Sequence, residues 1–373
     1  MAVLRSTTLR RLWRAPTWSH SPFIRGLFLL GGLVVASGAV AGDFPDEAFV
    51  EHVESRVDSG EYVGLIVGFI DGDQTHIRSF GSISKDDDTP PDERTMFEIS
   101  SVAKTFVATL LARSVTAGRV ALEDSANRYL EPNARLAIYE GTEIRLLDLA
   151  AHQSGLPSMP EDMPRGDPQN PFAETTRDNL LASINAFAPT SRPGQGYSYS
   201  GFAYGVLALI LESVNQADVF TLVEHEVTEP LGMHDTVLHL NAEQDTRLAT
   251  GYTRDGDPAV PLDQGVLRAA GSMYSNLHDL MIWVRANMQP QDSPIGEALA
   301  LTHRIHNEVG TIGLAWHKSE GYDDRSQYGT ANGYRAYVGF LADGSKGVVI
   351  LANTIVDAEA LGSRLLLGTE LPE

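Results

Sequence analysis

The sequence predicts a protein of the α/β (α+β) class, in which both ends of the chain form one antiparallel sheet and a mostly helical region is inserted between them. Residues 64–70 and 74–80 are strand-like runs on either side of an Asp-Gly turn, a pattern typical of a β-hairpin. Residues 336–341 and 347–352 repeat it around a second Asp-Gly turn. Between the hairpins, apolar residues recur every three or four positions, as they do in amphipathic helices.

The helical region is predicted at about residues 99–309 and the sheet at about residues 42–98 and 310–373. Helices are expected near residues 101–117, 177–187, 200–214, 219–228 and 277–288, with a last one near residues 356–367. Glycine and proline residues separate these segments. No internal repeat or low-complexity segment is visible, so residues 42–373 are predicted to form one domain.

The first 41 residues predict an exported protein. They contain five arginines and no acidic residue, and an apolar stretch of 16 residues leads to Ala39-Val40-Ala41. This is the layout of a secretory signal with an Ala-x-Ala cleavage site. A membrane-spanning helix is the alternative, but the stretch is shorter than the roughly 20 residues that a bilayer requires. We therefore expect cleavage near Ala41 and a periplasmic or secreted domain.

Composition and missing motifs exclude several classes of protein. The formal net charge is −21, and loss of the five N-terminal arginines would make it −26. A nucleic-acid partner is not expected for so acidic a chain. There is no cysteine, which excludes disulfides and thiol catalysis. The sequence also lacks the zincin, Walker and Gly-x-Ser-x-Gly motifs, so it predicts no metal or organic cofactor and argues against an α/β-hydrolase.

The string Ser-x-x-Lys occurs twice in the chain. Ser82 and Lys85 lie in a polar, proline-bearing loop, where a lysine is most simply a solvated charge. Ser101 and Lys104 instead begin a strong helix, for which Ser100 is available as the N-cap. Residues three apart share a face at a helix start, so the Lys104 amine is expected beside the Ser101 hydroxyl. For the string taken alone, a serine cap beside a surface lysine is the alternative.

Lysine is also scarce in this chain. There are four lysines and 24 arginines. A lysine can lose its proton when it is desolvated, whereas an arginine cannot. A lysine three residues after a serine at a helix start is therefore suited to activating the serine hydroxyl.

A second element, Pro193-Gly-Gln-Gly-Tyr-Ser-Tyr-Ser-Gly201, leads into the helix near residues 200–214. Ser101-Val-Ala-Lys104 followed about a hundred residues later by this element resembles the first two motifs of the serine β-lactamase and penicillin-binding protein family. In the family's second motif, Tyr-x-Asn, Tyr199 matches the tyrosine and Gly201 stands where asparagine is expected. Further family segments are matched in order by His152-Gln-Ser-Gly-Leu156, Pro230-Leu-Gly-Met233 and Ala270-Gly-Ser-Met-Tyr-Ser275.

The resemblance is to class C β-lactamases, D-alanyl-D-alanine carboxypeptidases and related esterases, and most of all to carboxypeptidase/endopeptidase-type penicillin-binding proteins. It implies a β-lactamase/transpeptidase-like fold and a serine hydrolase that works through an acyl-enzyme. Ser101 would be the nucleophile, Lys104 and Tyr199 would handle its proton, and the backbone N–H groups of Ser101 and Thr330 would bind the oxyanion. His152 is expected to be structural, hydrogen-bonded to backbone at a helix end.

The third family motif, Lys-Thr-Gly or His-x-Gly on an inner strand, is where the sequence departs. It falls on Gln327-Tyr-Gly329, so the basic residue is missing. Gln327 can still donate a hydrogen bond, but a fixed charge toward a substrate carboxylate is lost. Either the substrate lacks a free carboxylate, or a cation such as Arg325 or Arg335 replaces the lysine. An exposed strand position is the simpler expectation for both arginines. The candidate substrate-binding residues are Gly201, Gln327, Gly329 and Thr330.

Three functions stay open at this point. The first is hydrolysis of D-Ala-D-Ala-type peptidoglycan peptides or β-lactams, with peripheral association at the cell envelope. The second is a carboxylesterase or amidase on the same scaffold. The third, motivated by Gln327 and Gly201, is a catalytically weak cell-wall-binding protein. All three take a small molecule or a peptidoglycan peptide as partner.

Overall fold

The sheet is built from the two ends of the described chain. The computed structural model describes residues 44–307 and 310–372, so the predicted signal segment at residues 1–41 lies outside the described residues. The strands are β1 (Gly64–Asp71), β2 (Gln74–Gly81), β3 (Phe97–Glu98), β4 (Tyr274–Ser275), β5 (Asp324–Thr330), β6 (Arg335–Leu341) and β7 (Lys346–Ala352). Five of them form an antiparallel sheet in the order β2-β1-β7-β6-β5, and β3 pairs with β4.

Ten α-helices lie within the described residues. They are α1 (Glu47–Asp58), α2 (Ala103–Thr116), α3 (Leu146–Ala150), α4 (Arg177–Ala186), α5 (Gly201–Asn215), α6 (Val219–Val223), α7 (Ala242–Asp245), α8 (Leu277–Met288), α9 (Gly296–Thr302) and α10 (Ala358–Leu367). Short 3₁₀ helices span Ser100–Val102, Ala126–Arg128, Glu229–Leu231, Gly265–Ala270 and Pro290–Asp292, and Glu224–Thr228 is a π-helical turn. The antiparallel sheet made from both chain ends and the helical region between them are confirmed.

Strand β1 shows why the sheet is covered on both faces. Seven of its eight residues are buried, because successive side chains point to opposite faces and each face carries helices. Leu65 and Val67 belong to the core beneath α1 and α10, whereas Ile66 and Ile70 belong to the larger core that contains α2 and α8. The two hairpins join along β1 and β7, where Val67 is opposite Ile350.

Helix α5 runs through the middle of the larger core. Each of its first eleven residues, from Gly201 to Leu211, is buried, and Ser200 caps its start by accepting a hydrogen bond from the Ala203 N–H at 2.9 Å. Within residues 44–307 and 310–372 no single helix meets the length and hydropathy of a membrane span. One pair of helices among these residues, Gly201–Asn215 and Val219–Leu231, meets both criteria when taken together, by length and composition alone, and the two are bent by 75°.

Two local predictions are wrong. Ser100 does not cap α2: a 3₁₀ turn precedes that helix, and the Ser100 hydroxyl donates to the Thr330 carbonyl at 2.7 Å. The third-motif strand β5 is also not an inner strand, because it ends the sheet beyond β6. Its outer edge is therefore open to other groups, and it runs beside the turn that holds Ser101.

Candidate active site

Ser101 lies at the junction between strand β3 and helix α2. Ser100, immediately before it, has a φ of 43°, a left-handed conformation that residues with a Cβ rarely adopt. The Ser100–Thr330 hydrogen bond ties this strained turn to β5. Packing of α2 in the larger core fixes the other side of the turn. The fold thus holds Ser101 between a core helix and the open edge of the sheet.

Lys104 is placed directly against Ser101. Its Nζ donates to the Ser101 Oγ at 3.0 Å and to the backbone carbonyl of Ala270. The Lys104 residue is 1% exposed and, within the described parts of the chain, forms no ion pair with a carboxylate. A buried ammonium is stable only when polar or aromatic groups replace its hydration. Here the hydroxyl, the carbonyl and two tyrosine rings do so.

Tyr199 is one of those two rings. The Lys104 Nζ lies 4.9 Å from its centroid and 5.6 Å from that of Tyr204. Tyr204 is fully buried and donates its hydroxyl to the Ala150 carbonyl at 2.9 Å, which makes it a core residue. Tyr199 is only partly buried and stands before α5. The structure therefore brings Ser101, Lys104 and Tyr199 together, as the motif order predicts.

His152 holds the segment that carries Tyr199. Its Nδ1 accepts a hydrogen bond from the Ser200 N–H at 3.1 Å, and its carbonyl accepts one from the Ser198 N–H at 2.8 Å. The imidazole also packs on the Tyr199 ring with centroids 4.4 Å apart. The expectation of a backbone-bonded histidine at a helix end is confirmed. Burial, aided by the Lys104 charge, holds the pKa of His152 well below its usual value, so the ring is neutral.

Strand β5 passes close to the Ser101 backbone at Gly329. A Cβ added at Gly329 would lie 2.1 Å from the Ile99 carbonyl oxygen and 3.2 Å from the Ser101 nitrogen. Only glycine permits this approach. It brings the Thr330 backbone beside that of Ser101, the arrangement from which two N–H groups can converge on one oxygen.

The Gln327 side chain is held inside the protein. Its Nε2 donates to the Ala315 carbonyl at 2.8 Å, its Oε1 accepts from the Tyr328 N–H at 3.0 Å, and the residue is 1% exposed. Both ends of the amide are thus used inside the protein. The side chain at the third-motif position is thereby held to backbone groups and carries no charge.

The two arginines proposed as replacements differ in their surroundings. Arg325 is buried rather than exposed, and donates to the His303 carbonyl at 2.9 Å and to Asp323 at 3.0 Å. The expectation of an exposed position is wrong for Arg325, and these partners use its guanidinium. Arg335 is half-buried, donates to the carbonyls of Ala331 and Tyr334, and borders a cavity of about 590 Å³ that Thr330 also lines.

Gly201, the position of the family's asparagine, begins α5 and has little room around it. A Cβ there would lie 3.1 Å from the Met159 sulfur and 3.2 Å from both the Ala270 Cβ and the Ser158 carbonyl oxygen. The Gly201 N–H donates to the same Ser158 carbonyl at 2.8 Å. An asparagine at this position would therefore require Met159, Ala270 or Ser158 to move slightly.

Sequence reasoning missed His317, which lies in the same cluster. Its Nε2 is 2.8 Å from the Tyr197 hydroxyl, and its ring is stacked beside Tyr199 with centroids 6.4 Å apart. Burial lowers the pKa of His317 to about 4. No motif marks this histidine, because a contact of the folded chain brings it to the site.

Among the described residues, no group of three or more His, Cys, Asp or Glu side chains is arranged to hold a metal ion.

Comparison with known proteins identifies the family. A model of the beta-lactamase family matches residues 49–367. D-alanyl-D-alanine-carboxypeptidase/endopeptidase AmpH of Escherichia coli (strain K12) is 31% identical over 225 residues, which cover 60% of this chain and 56% of that protein, little more than half its length. A beta-lactamase of Pseudomonas fluorescens is 28% identical over 81% of this chain and 91% of its own.

Solved structures agree on the fold. The crystal structure of a β-lactamase/D-alanine carboxypeptidase from Pseudomonas syringae superposes with a TM-score of 0.74 at 24% identity, over 87% of this chain and 99% of that chain. At this identity the likeness concerns the fold alone. Because the family model matches most of the sequence, the chain belongs to the beta-lactamase family.

Proposed function

We propose that this protein is a serine hydrolase that forms an acyl-enzyme on Ser101. The observation that carries the proposal is the buried Lys104 amine, 3.0 Å from the Ser101 hydroxyl. A serine hydroxyl is a weak nucleophile until a neighbouring group takes its proton. Among the described residues this buried lysine has no carboxylate partner, and its place against a serine at a strained turn suits it to assisting that proton transfer.

Lys104 and Tyr199 together handle the proton of the Ser101 hydroxyl. The Lys104 amine, 4.9 Å from the centre of the Tyr199 ring, offsets negative charge on the tyrosine oxygen, and that oxygen accepts the Ser101 proton as Oγ attacks the acyl carbon. When the tetrahedral intermediate collapses, the bond to the leaving group breaks and Tyr199 returns the proton to that group. Tyr199 next takes a proton from water, and the resulting hydroxide attacks the ester on Ser101. As the bond to the Ser101 Oγ breaks, Tyr199 gives its proton to that oxygen and the hydroxyl is restored.

The oxyanion is bound by the backbone N–H groups of Ser101 and Thr330. The close passage of Gly329 along the Ser101 nitrogen supports this pairing, as does the bond that ties Ser100 to Thr330. Such donors act without moving during the reaction, and each is worth ~3 to 4 kcal/mol of barrier reduction.

The first substrate class we propose is D-Ala-D-Ala-type peptidoglycan peptides or β-lactams. Relatives that carry the names carboxypeptidase/endopeptidase and beta-lactamase support it. We further propose that residues 1–41 direct export and are removed near Ala41, so that the enzyme works in the periplasm or outside the cell, with peripheral contact to the cell envelope. The acidic net charge of −21 accords with a partner other than nucleic acid.

A second substrate class, neutral esters or amides, is favoured by one observation. The Gln327 amide is bonded on both sides to backbone groups, so the third motif offers no cation to a substrate carboxylate. A site that lacks this charge loses more affinity for a carboxylate-bearing donor than for a neutral one. The two classes share the proposed chemistry at Ser101 and differ only in what binds beside β5.

One labelling experiment addresses both the chemistry and the substrate. The protein is incubated with a fluorescent penicillin, beside Ser101→Ala and, as a matched control, Ser82→Ala in the other Ser-x-x-Lys string. Label that disappears only in Ser101→Ala supports the β-lactam and peptide class. No label, but hydrolysis of short nitrophenyl esters that needs Ser101, supports the ester class. A folded protein silent in both assays would contradict the proposal and leave a binding role.

A further inference from the structure

An exposed tyrosine beside the site is held by a histidine that no family motif includes. Tyr197 is 48% exposed, yet its hydroxyl lies 2.8 Å from the His317 Nε2. Tyr197 stands two residues before Tyr199 on the segment that enters α5. The Tyr197–His317 contact therefore joins the Tyr199 segment to a different part of the chain.

His317 reaches this place because of a tight turn beside β5. The backbone groups of His317 and Ser326 exchange hydrogen bonds of 2.9 and 3.0 Å, which adds a short bridge to the open edge of the sheet. Two residues earlier, Ala315 has a φ of 64°, a conformation that residues with a Cβ rarely adopt. Ser326 directly precedes Gln327, so an imidazole stands next to the position from which the family's basic residue is missing.

The rings of the cluster enclose Tyr199. His152 packs on it at a centroid distance of 4.4 Å, and His317 is stacked beside it at 6.4 Å with an angle of 25° between the rings. Lys104 lies 4.9 Å from the same centroid. A phenol in such an enclosure has its orientation fixed before substrate arrives, and catalysis by a positioned base depends on that orientation.

We propose that Tyr197 and His317 form a clamp that positions Tyr199 against Lys104, beside the strand position from which the third-motif base is missing. His317 is a positioning residue, since it acts on Tyr199 and not on the substrate. The inference rests on the proposed function of Ser101, Lys104 and Tyr199. It goes beyond that function because it assigns a positioning role to Tyr197 and His317, neither of which matches a residue of the Ser-x-x-Lys, Tyr-x-Asn or third motif.

The electrostatics agree with a clamp rather than a replacement cation. Burial, together with the Lys104 charge, holds the pKa of His317 at about 4, so the imidazole is neutral near neutral pH. A neutral ring can accept the Tyr197 O–H at Nε2 without placing a second positive charge beside Lys104. The ionisable groups that face His317 are Lys104, His152, Tyr197, Tyr199, Asp324 and Tyr328.

The test measures serine activation in variants of the full protein. Tyr197→Phe removes only the hydroxyl, His317→Leu removes the ring, and His317→Gln keeps a group that can bond Tyr197. Tyr322→Phe, at another exposed tyrosine, is the matched control. For each we would measure kcat and KM on the substrate identified by labelling. We would also measure the rate of labelling by a fluorophosphonate, which needs only an activated serine, and the melting temperature.

The clamp predicts a loss of rate without a loss of binding. Tyr197→Phe and His317→Leu should each lower kcat and the labelling rate by about tenfold to a hundredfold, with KM and the melting temperature little changed. The double variant should be no slower than the worse single variant, because both remove one interaction. His317→Gln should recover most of the rate and Tyr322→Phe should match the unmodified protein.

Several results would overturn the clamp. A Tyr197→Phe protein with unmodified rates would do so, as would additive losses in the double variant or losses that follow the melting temperature. If Ser101 reacts with neither probe, the proposed function fails, and NMR contacts between the His317 and Tyr199 rings decide the clamp separately. Contacts that disappear in Tyr197→Phe support it, and contacts that persist refute it.

Discussion

Glu98, three residues before Ser101, is expected to make the stability of this protein fall as the pH rises. It is 4% exposed on strand β3, and burial raises the pKa of Glu98 to about 7 from its usual 4.5. Its Oε1 accepts from the Leu262 N–H at 2.8 Å and from the Tyr274 hydroxyl at 3.3 Å. Its Oε2 is buried with no partner among the described residues. The folded protein therefore favours the protonated acid.

The sign and size of the effect follow from linkage. Between about pH 4.5 and 7 the folded state binds a proton at Glu98 that the unfolded state has lost, so unfolding becomes easier as the pH rises. Each unit of pKa difference is worth about 1.4 kcal/mol, which gives about 3 kcal/mol once the pH exceeds both values. In Glu98→Gln the side chain no longer titrates, and this pH-dependent loss is expected to disappear.

Urea unfolding of both proteins at several pH values measures the difference. The stability of Glu98→Gln relative to the unmodified protein should rise by about 2.5 kcal/mol between about pH 5 and about pH 8. Any change in stability caused by the new amide itself is the same at every pH. The histidines titrate in both proteins, so their contributions cancel in the difference between the two free energies of unfolding. A difference that stays flat across this range would refute the assignment of a protonated Glu98 in the folded protein.

Three further substitutions test the backbone around the site. Gly329→Ala would force β5 away from the Ile99 carbonyl, and loss of the oxyanion geometry is expected to slow acylation of the serine by about 100-fold or more, measured by labelling kinetics. Gly201→Asn, which restores the family residue, should lower the free energy of unfolding in urea by about 1 to 3 kcal/mol, because its Cβ would lie only 3.1 Å from the Met159 sulfur. Gln327→Lys places an ammonium at a buried position, since Gln327 is 1% exposed. It should therefore lower the free energy of unfolding, measured in urea, by about 3 kcal/mol and should not speed up labelling by penicillin.

The sheet and the long helices could be predicted because their signals are local. The apolar run of β1 and its Asp-Gly turn encode a hairpin whose first strand is buried, and the spacing of apolar residues in α2, α5 and α8 encodes helices within a residue or two of their ends. Helix α1 was not predicted from the sequence, although Phe49 and Val53 are its buried residues. Two buried positions in twelve residues make a weak periodic signal.

The contents of the site could be predicted only where residue order carries information. Ser101 and Lys104 are three apart on one chain segment, so their contact follows from helix geometry. Counting along the sequence assigns Gln327 to the third-motif position. It does not predict the orientation of the side chain, because the group that the amide binds is the Ala315 carbonyl from another segment. His317 could not be predicted for the same reason, since the turn at Ala315 places it beside Tyr199.

The replaced third motif and the two neutral histidines have one physical explanation. Lys104 is buried and has no carboxylate partner among the described residues, so any further positive charge beside it would raise the cost of its own charge. In this chain the third-motif position holds a neutral amide, and the two imidazoles around Tyr199 have a pKa lowered by burial and by Lys104. Lys104 therefore stays the single cation of the cluster among the described residues. In the mechanism we propose, the Ser101 proton moves to Tyr199 beside this single positive charge, and the two neutral rings hold Tyr199 in position.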